Sequence, residues 1–216
     1  MNERTTQKIY NFQSYFYDPL VARLVKRRHR KAIGRMNLRA GDRVLDVGIG
    51  TGLSLDIYPR GIHVVGMDIC EGMLGKARER IGRNRLDGVM LTRADAMRMP
   101  FPDGAFDHIL ISHVITVVSD PVQLVNELRR VGKPGCQIVI INHFLSGHPV
   151  MAFIERVMCP FFEKVGWRSD LSLEQLMEKT QISIDYRYKL DIIDFWQTVF
   201  ITNDTKQATP SQAAMA

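Results

Sequence analysis

Val44-Leu45-Asp46-Val47-Gly48-Ile49-Gly50-Thr51-Gly52 is a short apolar run that ends in three glycines at alternate positions. An apolar run of this length bounded by turn residues reads as a buried strand. Glycines directly after it, at the mouth of a helix, let a ligand touch the main chain, and helix amides beyond such a turn favour a carboxylate or another acceptor. Dinucleotide sites usually space their glycines Gly-x-Gly-x-x-Gly to seat a pyrophosphate, whereas this chain has Gly-x-Gly-x-Gly with Asp46 beside it. The acid would repel a pyrophosphate and can hold a cationic amino group instead.

Outward from that stretch the same rhythm continues. Arg43 to Val47, Ile62 to Met67, Gly88 to Thr92, Phe106 to Ile111 and Gln137 to Asn142 are short apolar runs, alternating with helical stretches near Leu53 to Ile57, Glu71 to Arg83 and Pro121 to Val131. Five such strands with helical crossovers predict a parallel sheet. Ile182 to Tyr188 and Ile192 to Ile201 are β-rich and are expected to close the sheet as an antiparallel pair, behind a short helix, Ser172 to Lys179, opened by a Ser172 to Gln175 capping box. The expected fold is therefore α/β, a doubly wound, seven-stranded, mostly parallel sheet, preceded by one or two N-terminal helices over residues 8 to 35. Asp18-Pro19 reads as a helix start. The expected organisation is a basic amphipathic segment at 1–38, a single α/β domain at 39–202 and a disordered tail at 203–216.

Asp68 falls twenty residues beyond Gly48 at the end of the second strand, where a carboxylate can accept both hydroxyls of a ribose. Asp95-Ala96 follows the third strand and suits an adenine edge, with Ile69 and Met73 as apolar cover for the ring. This ordered set resembles the class I S-adenosylmethionine (SAM)-dependent methyltransferases over residues 40 to 142, in the branch similar to ubiquinone and menaquinone methyltransferases. The resemblance implies SAM as cofactor, with Asp46, Gly48, Gly50 and Gly52 at its methionine end, Asp68 at the ribose, and Asp95 with Ala96 at the adenine. It also implies that Ser112-His113, at the end of the fourth strand, borders the methyl group.

Charge is unevenly distributed. Residues 1 to 43 hold eleven Lys/Arg against three Asp/Glu, a net +8, so that of the +6 total the rest of the chain contributes about −2. Such an arm is either a solvated helix face or an attraction to an anionic surface. Within it, Tyr15-Phe16-Tyr17-Asp18 and the following basic helix, taken with the glycine loop, resemble bacterial soluble phosphatidylethanolamine N-methyltransferases. That resemblance implies stepwise methylation of a phospholipid amine to a choline headgroup, at the inner face of a membrane. A peripheral, otherwise cytoplasmic protein docking on anionic lipid through the basic helix fits it. The expected site residues are His113 or His143 as proton acceptor, Tyr10, Tyr15 and Tyr17 as π faces for the methylated cation, and Arg187 for the lipid phosphate. Each also has a plain packing reading, as has the apolar segment Met151 to Phe162, which is either core or a shelter for acyl chains.

Other readings are set against these. The same cofactor domain serves carbon, oxygen and nitrogen targets, so a quinone precursor or another lipophilic acceptor is the alternative substrate. A SAM-binding adaptor without turnover is a further one. Ile111-Ser112-His113-Val114 lacks the Asn/Asp-Pro-Pro-aromatic run of amino-methylating nucleic-acid enzymes, and no nucleic-acid partner is expected. No compact carboxylate cluster follows that strand, so no metal is expected. Cys70, Cys136 and Cys159 form no Cys-x-x-Cys pair, which argues against a disulfide framework.

Overall fold

The computed structural model describes residues 19–144, 171–190 and 196–204, with the side chains of 19–21 left aside. In chain order the elements are α1 (Pro19–Ile33), β1 (Arg43–Val47), β2 (His63–Asp68), α2 (Glu71–Asn84), β3 (Val89–Arg93), β4 (Phe106–Ser112), α3 (Pro121–Val131), β5 (Gly132–His143), α4 (Leu173–Thr180), β6 (Tyr186–Tyr188) and β7 (Trp196–Thr202). The strands form one seven-stranded sheet in the order β3-β2-β1-β4-β5-β7-β6. β1 to β5 pair in parallel, while β7 runs antiparallel to both β5 and β6. The doubly wound sheet read from the sequence is present, and its order reverses between β1 and β4.

Helices cover both faces, which is why the central strands are apolar almost throughout. In β1 and β4, Val44, Leu45, Val47, Phe106, Ile109, Leu110 and Ile111 are fully buried. On one face, Leu45, Ile109, Ile138 and Ile140 pack with Leu124, Val125 and Leu128 of α3 and Leu173, Leu176 and Met177 of α4. On the other, Val44, Val64, Leu110, Val139, Ile141 and Phe200 pack with Ala32, Ile33 and Met36 around the end of α1 and with Leu74 of α2. α3 begins where Asp120 accepts from the amides of Val122 and Gln123, with Pro121 in the first turn. The Ser172 cap accepts from the Gln175 amide as the capping box requires.

Several expected boundaries move. Only a 3₁₀ turn, Leu55–Ile57, stands where a helix from Leu53 was expected. Gly52 has a left-handed backbone, Ser54 is committed to Asp46, and Pro59 follows, so no regular helix can form. β6 is shorter than the Ile182 to Tyr188 run, because Ile182 donates its amide to the Met177 carbonyl at the end of α4 and Ile184 packs on the core. Asn203, expected to open the tail, is only 2% exposed. Its Nδ2 donates to the carbonyls of Arg129, Gly132 and Lys133, and its amide to that of Cys136, so it belongs to the domain. Residues 205–216 lie outside the described residues, as do 1–18 and the apolar segment at 151–162.

Candidate functional site

The reversal of strand order leaves a crevice beyond the carboxyl ends of β1 and β4, the general place for a ligand in such sheets. The glycine loop occupies it. Gly48, Gly50 and Gly52 all have positive φ, at 71°, 56° and 76°. A Cβ at Gly48 would collide with the Val114 side chain beyond β4, and one at Gly52 would come within 2.8 Å of Leu55. At Gly50 it would meet nothing nearer than the Gly48 carbonyl at 3.9 Å, so the loop is packed at both ends and open in its middle. The amides of Gly48 and Ile49 donate to the Met67 carbonyl at 2.8 and 3.0 Å, tying the loop to β2.

Two acids hold this loop from different sides. Asp46 is 2% exposed and accepts from Ser54 Oγ at 2.6 Å and Tyr58 OH at 2.9 Å, both at Oδ2. Burial lifts its carboxyl to about 6, while the Ser54 and Tyr58 donors pull in the opposite direction. The structure thus shows Asp46 as an anchor beneath the loop. Asp68, at the end of β2, accepts from the Gly50 amide at 2.9 Å through Oδ2 and from the Cys70 amide at 2.9 Å through Oδ1. Burial raises this carboxyl also, with the amides of Cys70, Gly50 and Ile69 offsetting part of the rise. The two oxygens together have about four lone-pair sites, so these amides leave the carboxylate able to accept from a further donor such as a sugar hydroxyl.

The other residues expected at the cofactor gather at the same edge with different exposure. Ile69 is 40% exposed, whereas Met73 in the first turn of α2 is 7% exposed and contributes to packing. Asp95 is exposed and caps its own turn, its Oδ1 accepting from the Met97 amide at 2.9 Å. Ala96 packs against the core. The open Gly50 position and the remaining acceptor capacity of Asp68 are what a nucleoside with a charged amino-acid end needs, so the residues fit SAM.

On the other side of the crevice the ends of β4, β5 and β7 meet α1. Ser112, the last residue of β4, lies with its Oγ 2.9 Å from Nε2 of His29. His113 follows with φ of 60°, an uncommon backbone for a residue with a side chain, and its ring meets Trp196 edge to face at a centroid distance of 5.9 Å. His143 ends β5, 3% exposed and directly opposite Trp196 in the β5–β7 ladder. Arg28 places its guanidinium 4.3 Å from the Trp196 ring centre and is only 4% exposed. Ser112, His113, His143, Trp196, Arg28 and His29 are therefore one cluster.

Arg28, His29 and Trp196 were absent from the sequence-derived site. The signal for the first two was available: Val25, Arg28, His29, Ala32 and Ile33 share one face of a helix by spacing alone. The basic residues that surround them read instead as an exposed face. Arg187 is not brought to the crevice. It sits on the edge strand β6 and pairs with Glu174 of α4 at 2.7 Å, which engages its guanidinium far from β4 in strand order. Tyr10, Tyr15 and Tyr17 lie outside the described residues.

A sequence-family profile described as a methyltransferase domain matches residues 45–140. A phosphatidylethanolamine N-methyltransferase from Cereibacter sphaeroides is 34% identical over 169 residues, covering 78% of this chain and 83% of that protein. A demethylmenaquinone methyltransferase from Halalkalibacterium halodurans is 31% identical over 196 residues, covering 83% and 80%. Among solved structures, a SAM-dependent methyltransferase from Aquifex aeolicus superposes with a TM-score of 0.61 at 21% identity, over 81% of this chain and 88% of that one. A glycine loop open in its middle, an acid at the end of β2 and these relatives agree, and the chain belongs to the class I SAM-dependent methyltransferases.

Proposed function

We propose that the chain methylates the amine headgroup of phosphatidylethanolamine, stepwise, at an anionic membrane surface. The observation that carries this reading is the 34% identity to a phosphatidylethanolamine N-methyltransferase over 78% of the chain. α1 supports it independently. Arg23, Arg27 and Arg30 are exposed and recur at spacings of four and three, so they form a single outward stripe. Each basic residue near an anionic leaflet adds about 1 kcal/mol of attraction. No helix among the described residues is long and apolar enough to cross a membrane.

SAM, when bound, supplies an electrophilic methyl group. The protein must then present a neutral amine, because a free alkylammonium, like lysine, has a pKa of about 10 and no lone pair to offer. Desolvation between α1 and the strand ends lowers that value, and His113 or His143 takes the proton in this reading. The face of Trp196, already stacked with Arg28, marks this end of the sheet as tolerant of cations, an attraction of about 0.5 to 2 kcal/mol per contact. Tyr10, Tyr15 and Tyr17 precede α1 and remain the proposed partners of the methylated headgroup. Holding the two reactants in line is the larger contribution, up to about 7–11 kcal/mol.

The 31% identity to a demethylmenaquinone methyltransferase over 83% of the chain favours a second reading, carbon methylation of a quinone precursor. Mass spectrometry separates the two. Purified protein is incubated with SAM and vesicles of phosphatidylethanolamine and phosphatidylglycerol, and in parallel with demethylmenaquinone in the same lipid. Mono-, di- or trimethylated headgroups support the lipid reading. Methylated quinone with unmodified phosphatidylethanolamine overturns it.

A further inference from the structure

α1 lays a polar pair, Arg28 and His29, on the sheet within an otherwise apolar face of Val25, Ala32 and Ile33. A buried imidazole needs a partner, and the one it has is at the catalytic end of the fold: Nε2 of His29 stands 2.9 Å from Oγ of Ser112. His29 is 7% exposed and Ser112 is 8% exposed, so little water competes for this bond. The other ring nitrogen, Nδ1, is buried and makes no hydrogen bond to any described residue. A buried N–H without an acceptor is rarer in proteins than an unused acceptor lone pair. The neutral ring therefore carries its proton on Nε2 and donates it to Ser112. Burial, and then the charge of Arg28, hold the imidazole down at about 4, which keeps it neutral at physiological pH.

Ser112 ends the strand that flanks the switch point, and Gly48 of the cofactor loop packs against Val114 two residues further on. A hydroxyl oxygen has two lone pairs. With one of them occupied by His29, the second is fixed in direction. We propose that His29 is a positioning residue for methyl transfer, fixing Ser112 Oγ so that its remaining lone pair accepts a hydrogen from a methyl acceptor that carries one, as the primary and secondary amines of the first two transfers do, and turns the nucleophile toward the methyl group. The N-terminal helix thereby contributes to orientation at the strand end as well as to packing. The inference needs the methyltransferase chemistry of the family and not the identity of the lipid.

Two experiments test it. The first follows S-adenosylhomocysteine release with whichever acceptor of the previous section is methylated. His29→Leu is expected to lower kcat at least about tenfold while the SAM dissociation constant stays within about twofold. His29→Gln, whose amide reaches the position of Nε2, is expected to recover to within about threefold, and His29→Asn, whose amide reaches only that of Nδ1, is not. His29→Leu combined with Ser112→Ala should be no slower than Ser112→Ala alone. Equal activity of the Gln and Asn variants, or losses that multiply in the double variant, overturns the proposal, and the Gln–Asn comparison decides it if the Leu variant does not fold. The second needs no acceptor. Nitrogen-15 NMR of the full chain should show His29 protonated at Nε2 and bare at Nδ1, with the Nε2 signal moving in Ser112→Ala. A ring protonated at Nδ1, or one indifferent to Ser112→Ala, overturns the assignment.

Discussion

Asp68 accepts from the Gly50 amide of the glycine loop and from the Cys70 amide of the turn after β2, and it does so from a half-buried position where burial raises its carboxyl. Asp68→Ala removes both acceptors and is expected to weaken SAM binding at least about tenfold in calorimetry, about 1.4 kcal/mol or more. Unchanged affinity would remove Asp68 from the site. His29 and Asp46 impose opposite pH dependences. His29 is lowered from 6.5 to about 4, so the unfolded chain binds its proton first as pH falls; the stabilisation is fully present above 6.5 and is lost on the way down to 4. Asp46 is raised from 3.8 to about 6, so the folded chain holds that proton longer; its contribution is greatest below 3.8 and declines as pH rises through 6. Urea denaturation of wild type and His29→Gln isolates the first effect. The advantage of wild type should shrink by up to about 3 kcal/mol between pH 7 and pH 4, and a constant difference would mean that the imidazole is not held neutral.

At the scale of the element, α1 has two faces of different chemistry that the linear run of basic residues conceals. Arg28 and His29 point to the sheet, Lys26 pairs with Asp56 at 2.9 Å, and Lys31 lies 4.8 Å from the Tyr188 ring centre. Arg23, Arg27 and Arg30 are the exposed arginines of the helix. Replacing those three by Glu is expected to abolish sedimentation with phosphatidylglycerol vesicles and leave SAM affinity and thermal unfolding near wild type. Retained sedimentation would show that another surface docks. Arg28→Glu is expected to destabilise the fold instead, because it reverses a charge that is 4% exposed and removes the contact with Trp196.

For the whole molecule, the crevice proposed to hold SAM is assembled from β1, β2, β4 and the turns that follow them, so binding there and folding are linked. SAM at about a hundred times its dissociation constant adds about 2.7 kcal/mol of stability. For a chain of this length that corresponds to a rise in Tm of about 5–10 °C by differential scanning fluorimetry. With affinity tenfold weaker, the same SAM concentration adds only about 1.4 kcal/mol, so the rise in Asp68→Ala should be at most about half that of wild type, and an equal rise there would contradict its assignment. Much of this was legible in the chain itself. Central strands covered on both faces must be apolar throughout, so β1 and β4 announce themselves. The glycines are needed where backbones meet, as at Gly48 against Val114, and Asp68 follows at the next strand end because the βα unit has a set length. The family resemblance added SAM. What local sequence does not encode is contact between distant segments. His29 and Ser112 are 83 residues apart, Arg187 and Glu174 belong to separate elements, and Asn203 joins the core through carbonyls some seventy residues earlier. Local sequence therefore determined the strands and the place of the glycine loop, because these depend on neighbours in the chain, and the resemblance carried by that loop implied the cofactor class. Only the tertiary structure decided that His29 meets Ser112, that Arg28 lies against Trp196 and that Arg187 is engaged by Glu174, because burial and hydrogen-bond partners are properties of the folded neighbourhood.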